Sequence, residues 1–191
     1  MPTNQKLVNH LNQNKIKHEV LPHKKVYTAF DKAQTLGVKL NQIVKALLVK
    51  AEKNHHLILL PADKMLDLKK LAKSLKVKKI EIIGEKGMQK LLKMKKEALH
   101  TFGTLHQLPV VIDKGLAKIK EAIFPSTSFI GSIKMKVKDY LNLEKPVVGD
   151  IGIIKKITKN KRTKNPALPA LSADRPAGRQ SNKKSKTRVK K

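Results

Sequence analysis

Two aliphatic runs separated by a polar tip constrain this chain more than any other feature. Ile43-Val44-Lys45-Ala46-Leu47-Leu48-Val49-Lys50 and Leu57-Ile58-Leu59-Leu60-Pro61-Ala62 flank Glu52-Lys53-Asn54-His55-His56. Each run has the aliphatic content of a buried strand and the tip reads as a turn, so the pair predicts a hairpin at the centre of a sheet. Side chains alternate along a strand. Lys45 therefore shares a face with Ile43, Leu47 and Val49, while Val44, Ala46 and Leu48 face the other way. A lysine in that company is costly unless its ammonium reaches water or an anion. The sequence leaves both outcomes open: a lysine snorkelling at a strand end, or a functional amine.

Flanking segments alternate between helix and strand. Leu7, Val8 and Leu11 sit at helical spacing behind a cap at Thr3 or Asn4, and His18 to Leu21 reads as a strand closed by Pro22. Thr28, with Asp31 three residues on, caps a helix that presents Ala29, Ala33 and Leu36 and stops at Gly37. Leu68, Leu71, Ala72 and Leu75 form the inner stripe of the next helix, and Met88, Leu91 and Leu92 that of a Lys-rich helix over 85–96. Further strands are predicted at Lys79–Ile83, Leu108–Asp113, Ala122–Pro125 and Ile130–Val137, with a last helical turn from Asp139. Pro109 belongs at a strand's first position or on an edge. Two hairpins among helices predict an α+β fold, a single compact domain with a mixed, largely antiparallel sheet and flanking helices. Aromatics are only 3% of the chain and Trp is absent, so the core is expected to be aliphatic and base-stacking platforms are not expected.

Charge divides the chain. The 191 residues carry a formal +29, and 14 basic residues face a single acid, Asp174, between Lys155 and Lys191. That stretch of Lys, Asn, Pro, Ala, Ser and Arg cannot bury a core, so a domain over 1–154 and a disordered basic tail over 155–191 are expected. A field of this sign attracts polyanions, nucleic acid first and an acidic membrane next. No apolar run nears the roughly 20 residues that span a bilayer, and the N-terminus lacks a signal-peptide pattern. The expectation is a cytoplasmic protein without a membrane partner, acting as a monomer.

Cysteine is absent, which excludes disulfides, thiolate catalysis and Cys-bound zinc. The histidines at 10, 18, 23, 55, 56, 100 and 106 offer no helical i, i+4 pair, so no metal or cofactor is expected. Phosphate-binding glycine loops and the GxSxG elbow are missing. What remains is Lys45, glycines at turns (Gly103, Gly131, Gly149) and a basic surface.

The order and spacing of several fragments carry a resemblance. A helix is followed by His23…Tyr27-Thr28-Ala29, Gly37-Val38, Ile43 to Val49, Leu59-Leu60-Pro61-Ala62-Asp63 and Leu66 to Ala72. Phe102-Gly103, Leu108 to Asp113 and Asp150-Ile151 continue the series. Over roughly Lys6 to Ile153 the chain resembles the YbaK/ProX family of aminoacyl-tRNA deacylases, related to the editing insertion of bacterial prolyl-tRNA synthetases. The resemblance implies a compact α+β domain that hydrolyses the ester joining a wrong, small amino acid to the tRNA 3′ end. It implies Lys45 as the principal functional position, with Gly131 in a second pocket-lining loop. Tyr27, Thr28, Phe102, Gly103 and Ser132 become candidate substrate contacts. Its partners would be mischarged tRNA and an aminoacyl-tRNA synthetase. The family's G-x-x-x-P loop before Phe-Gly is not matched, since Glu97 stands at the glycine and Thr101 at the proline.

Lys45 as a general base would have to lose about three pKa units, about 4–5 kcal/mol, and phosphates oppose that loss. An anchoring ammonium for the terminal phosphate or substrate carbonyl is the expectation. Lys161, Arg162, Lys183, Lys184, Lys186 and Arg188 of the tail are expected to tether RNA phosphates. Two other assignments fit the same sequence: an RNA-binding module of this fold without catalysis, and a basic accessory protein of ribosome or nucleoid.

Overall fold

The expected hairpin is the longest element of a computed structural model describing residues 5–92, 99, 101–126 and 128–154. In chain order the elements are α1 (Gln5–Gln13), β1 (His18–Pro22), α2 (Ala29–Leu36), β2 (Val44–Ala51), β3 (Asn54–Pro61), β4 (Lys64–Leu66), α3 (Leu68–Leu75), β5 (Ile80–Ile82) and α4 (Glu85–Leu92). There follow β6 (Val110–Asp113), α5 (Lys114–Ala117), β7 (Glu121–Pro125), β8 (Gly131–Lys136), α6 (Val137–Glu144), β9 (Val147–Gly149) and β10 (Gly152–Ile154). The fold is α+β, as expected. Three sheets form: a mixed five-stranded sheet ordered β5-β2-β3-β6-β9, an antiparallel trio β1-β8-β7, and the pair β10-β4. β2 pairs antiparallel with β3 and β5, whereas β3–β6 and β6–β9 run parallel.

Burial explains why β3 shows no polar alternation. Leu57 and Leu59 pack into the main core, while Ile58 and Leu60 face a second cluster with Leu71 of α3 and Val111 of β6. A strand covered on both faces reads as a continuous apolar run. β2 obeys the expected alternation: Val44 and Leu48 enter the main core, and Val49 and Leu47 the second.

Local chemistry sets the helix ends. The Thr28 hydroxyl accepts the Asp31 backbone N–H at 3.0 Å, satisfying a first-turn donor. Gly37 closes α2 at φ 63°, a left-handed conformation that glycine adopts without strain. Asp67 caps α3 through the backbone N–H groups of Lys69 and Lys70.

Three expectations need correction. The core is not wholly aliphatic: Phe102, Phe124 and Tyr140 are completely buried together, with Phe124 and Tyr140 stacked at 4.9 Å between ring centroids. Few aromatics do not mean none inside, because each ring buries more area than an aliphatic side chain. Leu68 and Leu91, expected on the inner stripes, are exposed. Finally, Val137 begins a two-turn helix where a strand was expected to end. Thr3, Asn4, residues 93–98 and the tail from 155 lie outside the described residues.

Candidate functional site

β2 is paired unevenly, and that asymmetry opens the site. β3 covers its whole length on one side, but on the other β5 pairs only from Val49 to Ala51. Backbone groups of successive strand residues point to opposite sides. The Ile43 carbonyl accepts from Ala62 on the β3 side, and the Leu48 carbonyl accepts from Ile83 on the β5 side. Even-numbered residues therefore turn toward β5, and Ala46 presents its N–H and C=O where no strand pairs with it among the described residues. Just below, β7 touches the same edge only through an isolated bridge, Ile43 to Ile123.

A cleft of about 610 Å³ lies along this open edge. Its walls are β2 from Ile43 to Leu48, the segment from Val26 to Ala29 with Lys32, the Ile82–Gly84 turn with Met88, and Pro125, Ser128 and Phe129. Two backbone bonds hold the wall that begins at Val26 to the one that holds Phe129: His23 N–H to the Ile130 carbonyl, 2.9 Å, and Val26 N–H to the Phe129 carbonyl, 3.1 Å. His23 reinforces them, with Nδ1 2.9 Å from the Lys24 carbonyl and Nε2 3.0 Å from the Ser132 hydroxyl. A carbonyl only accepts, so Nδ1 carries the proton and, in the neutral ring, Nε2 accepts from Ser132.

Lys45 lines the cleft, half-buried, and its ammonium donates to the backbone carbonyl of Lys64. Burial pulls its pKa below the ordinary lysine value, and the charge of Asp63 opposes that pull. Lys64 is held in turn by Asp113. This wholly buried carboxylate accepts the Lys64 ammonium at 2.8 Å, Gly115 N–H at 2.8 Å and Gly152 N–H at 2.9 Å. Asp113 thus ties β4, whose Lys64 carbonyl receives Lys45, to β10 through Gly152.

The structure brings together some of the sequence candidates and separates others. Lys45, Tyr27 and Thr28 line one cleft. Phe102 does not: it is completely buried against Phe124 and Tyr140, which answers the demand of a core short of aromatics. Gly103, itself buried, opens a 3-10 turn where a Cβ would collide with the Leu108 carbonyl and the Val110 side chain, so glycine is required there by packing. Gly131 and Ser132 begin β8, both buried. The Gly131 carbonyl accepts the Ser126 hydroxyl at 2.6 Å, and Ser132 acts through His23 as a brace for the cleft wall. Thr101, at the proline position of the family loop, is buried, and its carbonyl accepts the Tyr140 hydroxyl at 2.6 Å. Glu97 and the tail candidates Lys161, Arg162, Lys183, Lys184, Lys186 and Arg188 lie outside the described residues.

Sequence reasoning missed three contributors. Lys32 lines the same cleft as Lys45, and burial pulls its pKa down as well. The signal was available: Lys32 falls three residues after Ala29 and four before Leu36, on the apolar stripe of its helix. Ala46 and Phe129 left no such trace, because a strand's pairing and a loop's position are tertiary facts. Among the described residues no cluster of three or more His, Asp or Glu side chains is placed to hold a metal, and no helix is long and apolar enough to cross a membrane.

The fold is thus an α+β domain in which Lys32 and Lys45 line a cleft beside an unpaired strand edge. Comparison with known sequences gives the family. Residues 23–143 match the model of the aminoacyl-tRNA editing domain, and this chain belongs to that family. It is 30% identical over 122 residues, 61% of this chain and 74% of the other, to the prolyl-tRNA editing protein ProX of Acetoanaerobium sticklandii. Among solved structures, the hypothetical protein APE2540 superposes with a TM-score of 0.71 at 16% identity, covering 78% of this chain and all of that one. A protein provisionally described as a trans-editing enzyme for prolyl-tRNA synthetase gives 0.69 at 22% identity, covering 80% and 98%. The last two establish the fold alone.

Proposed function

We propose that the chain is a trans-editing deacylase that hydrolyses the ester between a small amino acid, such as alanine or cysteine, and the 3′ end of a mischarged tRNA. Membership in the editing family supports the reaction class, and the name of the ProX relative supports prolyl tRNA as carrier. The observation that carries the reading is that Lys45 and the unpaired backbone edge of Ala46 line one cleft.

An aminoacyl ester is already activated, so no covalent nucleophile is needed. Water attacks the carbonyl carbon, the ester C–O bond breaks, and the departing ribose oxygen takes up a proton. The neighbouring ribose hydroxyl of the substrate helps to deliver the water. Negative charge collects on the carbonyl oxygen during attack. An N–H aimed at that oxygen contributes roughly 3 kcal/mol to such a step. Ala46 N–H, on the open edge of β2, is a donor for that oxygen, and it fills the task that the family's glycine loop would otherwise perform. Lys45 leaves the Lys64 carbonyl for the substrate carbonyl or the terminal phosphate, and Lys32 supplies a second positive charge. A small pocket discriminates poorly by one methyl group, which is the circumstance that calls for editing.

The basic tail serves as a phosphate tether, through Lys161, Arg162, Lys183, Lys184, Lys186 and Arg188. The domain over 1–154 carries the chemistry, as a monomer in the cytoplasm, taking its substrate after release from the synthetase. The test is release of free amino acid from tRNAs charged with alanine, cysteine, serine and proline. Accelerated hydrolysis of a small non-cognate ester supports the reading. RNA binding without hydrolysis of any ester would reduce the chain to a binding module.

A further inference from the structure

Lysine is spread over the whole chain, but one stretch concentrates it. The twelve residues from Leu68 to Lys79 hold six lysines and no acid, and no other such window within the described residues carries as many without one. α3 sorts these lysines. Its Leu71 enters the second core cluster, and Lys70 turns aside to Asp150 at 2.8 Å. Lys69, Lys73 and Lys76 fall at i, i+4 and i+7, one side of a helix, and all three are exposed. None of the three joins an ion pair among the described residues, whereas Lys64, Lys70 and Lys134 each meet a carboxylate.

Solubility does not explain such a row. Like charges at i, i+4 oppose helix formation, and a solvated face is made at lower cost by alternating glutamate with lysine. No aromatic ring or side-chain amide lies between Leu68 and Lys79, so the row has no means of stacking a base or reading its edge. It has what a line of phosphates requires: ammonium groups at regular intervals over roughly 10 Å of a rigid element. Its position ties it to the cleft. α3 follows directly on β4, whose Lys64 carbonyl receives the Lys45 ammonium. It packs on the sheet face to which Leu47 and Val49 belong, and strand alternation puts Lys45 on that face as well.

We propose that the Lys69–Lys73–Lys76 side of α3 is a docking surface for the sugar-phosphate backbone of an RNA stem, which it holds without reading sequence. The identity of that stem as part of a tRNA rests on the editing reading; the fit of the row to phosphates does not. A stem laid along α3 runs toward β4, so its end arrives on the Lys45 side of the sheet.

The experiment uses the full chain and a blunt-ended RNA duplex, which offers neither an unpaired 3′ end nor an ester. One variant combines Lys69→Gln, Lys73→Gln and Lys76→Gln. The control combines Lys118→Gln, Lys120→Gln and Lys138→Gln, exposed lysines beside Leu116 and Val137, which pack on the opposite face of the sheet. Both remove the same charge, and far-UV circular dichroism establishes that each is folded. The slope of log binding constant against log salt should fall by about 2–3 in the α3 variant, at roughly 0.7–0.9 for each phosphate, and by less than half as much in the control. Half-saturation with alanyl-tRNA should need a higher concentration, with the single-turnover rate at saturation unchanged. An unchanged slope in the α3 variant, equal falls in the two variants, or a wild type that does not bind the duplex overturns the surface, whether or not alanyl-tRNA is hydrolysed. So does α3-dependent binding of poly-glutamate without binding of the duplex, which would assign the row to an acidic protein. α3-dependent duplex binding with no hydrolysis of any ester upholds the surface and defeats the deacylase reading.

Discussion

Asp113→Asn is the perturbation that most sharply links this fold to its cleft. The carboxylate is fully buried and receives three donors: the Lys64 ammonium and Gly115 N–H on one oxygen, Gly152 N–H on the other. Asparagine keeps one acceptor oxygen and replaces the second with an NH2 group. In one orientation that NH2 confronts Gly152 N–H; in the other it confronts the lysine. Either way one charge-assisted bond is lost and a buried donor is left facing another donor. Such losses cost about 2–4 kcal/mol. For a chain of this size that lowers Tm by roughly 4–16 °C. Lys64 stays 21% exposed, so water partly compensates it and the value belongs in the lower half of that range. The assay is thermal unfolding followed by circular dichroism, paired with single-turnover deacylation at a temperature where both proteins are folded. Loosening Lys64 frees the carbonyl that holds Lys45, and the single-turnover rate should fall several-fold. A Tm within 2 °C of wild type would refute the assignment of Asp113 as the support beneath Lys45.

Lys32→Met should raise Tm by about 1–3 °C at neutral pH, because removing a desolvated charge stabilises by a fraction of a kcal/mol to about one. It should also weaken RNA binding and reduce the salt-dependence slope by about 0.7–0.9. The folded Lys32 pKa lies below 10.5, so the unfolded chain binds more protons between those two values and wild-type stability gains on the variant as pH rises through that window. Thermal melts from pH 7 to 10 should therefore show the advantage of Lys32→Met shrinking, and a growing advantage would contradict it. Removing residues 159–191 should weaken tRNA binding and flatten its salt dependence, while single-turnover hydrolysis at saturation stays nearly intact. An unchanged slope would dismiss the tether. Gly103→Ala should cost about 2 kcal/mol or more through its clash with the Leu108 carbonyl, lowering Tm in a thermal melt; a neutral substitution would leave room at Gly103 for the substrate contact expected from the sequence.

What was legible in the sequence was whatever local pattern dictates. The β2–β3 hairpin, the alternation that places Lys45 opposite Val44, and the Thr28 and Gly37 ends of α2 follow from periodicity and capping. The three-residue strands β4, β9 and β10 were not, because so short a stretch has no period and forms only when a partner is already in place. The cleft was legible only in part. Lys45 announces itself as a charge among aliphatics, whereas the pattern that offers Phe102 and Ser132 as substrate contacts does not show that Phe102 fills the core and Ser132 meets His23. A motif records which residues occur together, not which of them face the solvent. Ala46 could not be found at all from the sequence, since its role depends on β5 ending three residues short of it.

The proposed hydrolysis depends on the amine of Lys45 acting at the ester carbonyl. Single-turnover hydrolysis of alanyl-tRNA and cysteinyl-tRNA by wild type, Lys45→Ala and Lys45→Met measures this directly. The expected result is hydrolysis by the wild type well above the spontaneous rate and a loss of about 10- to 100-fold in both variants, the worth of about 1.5–3 kcal/mol for a hydrogen bond from a charged donor. Equal rates for the three proteins would contradict it.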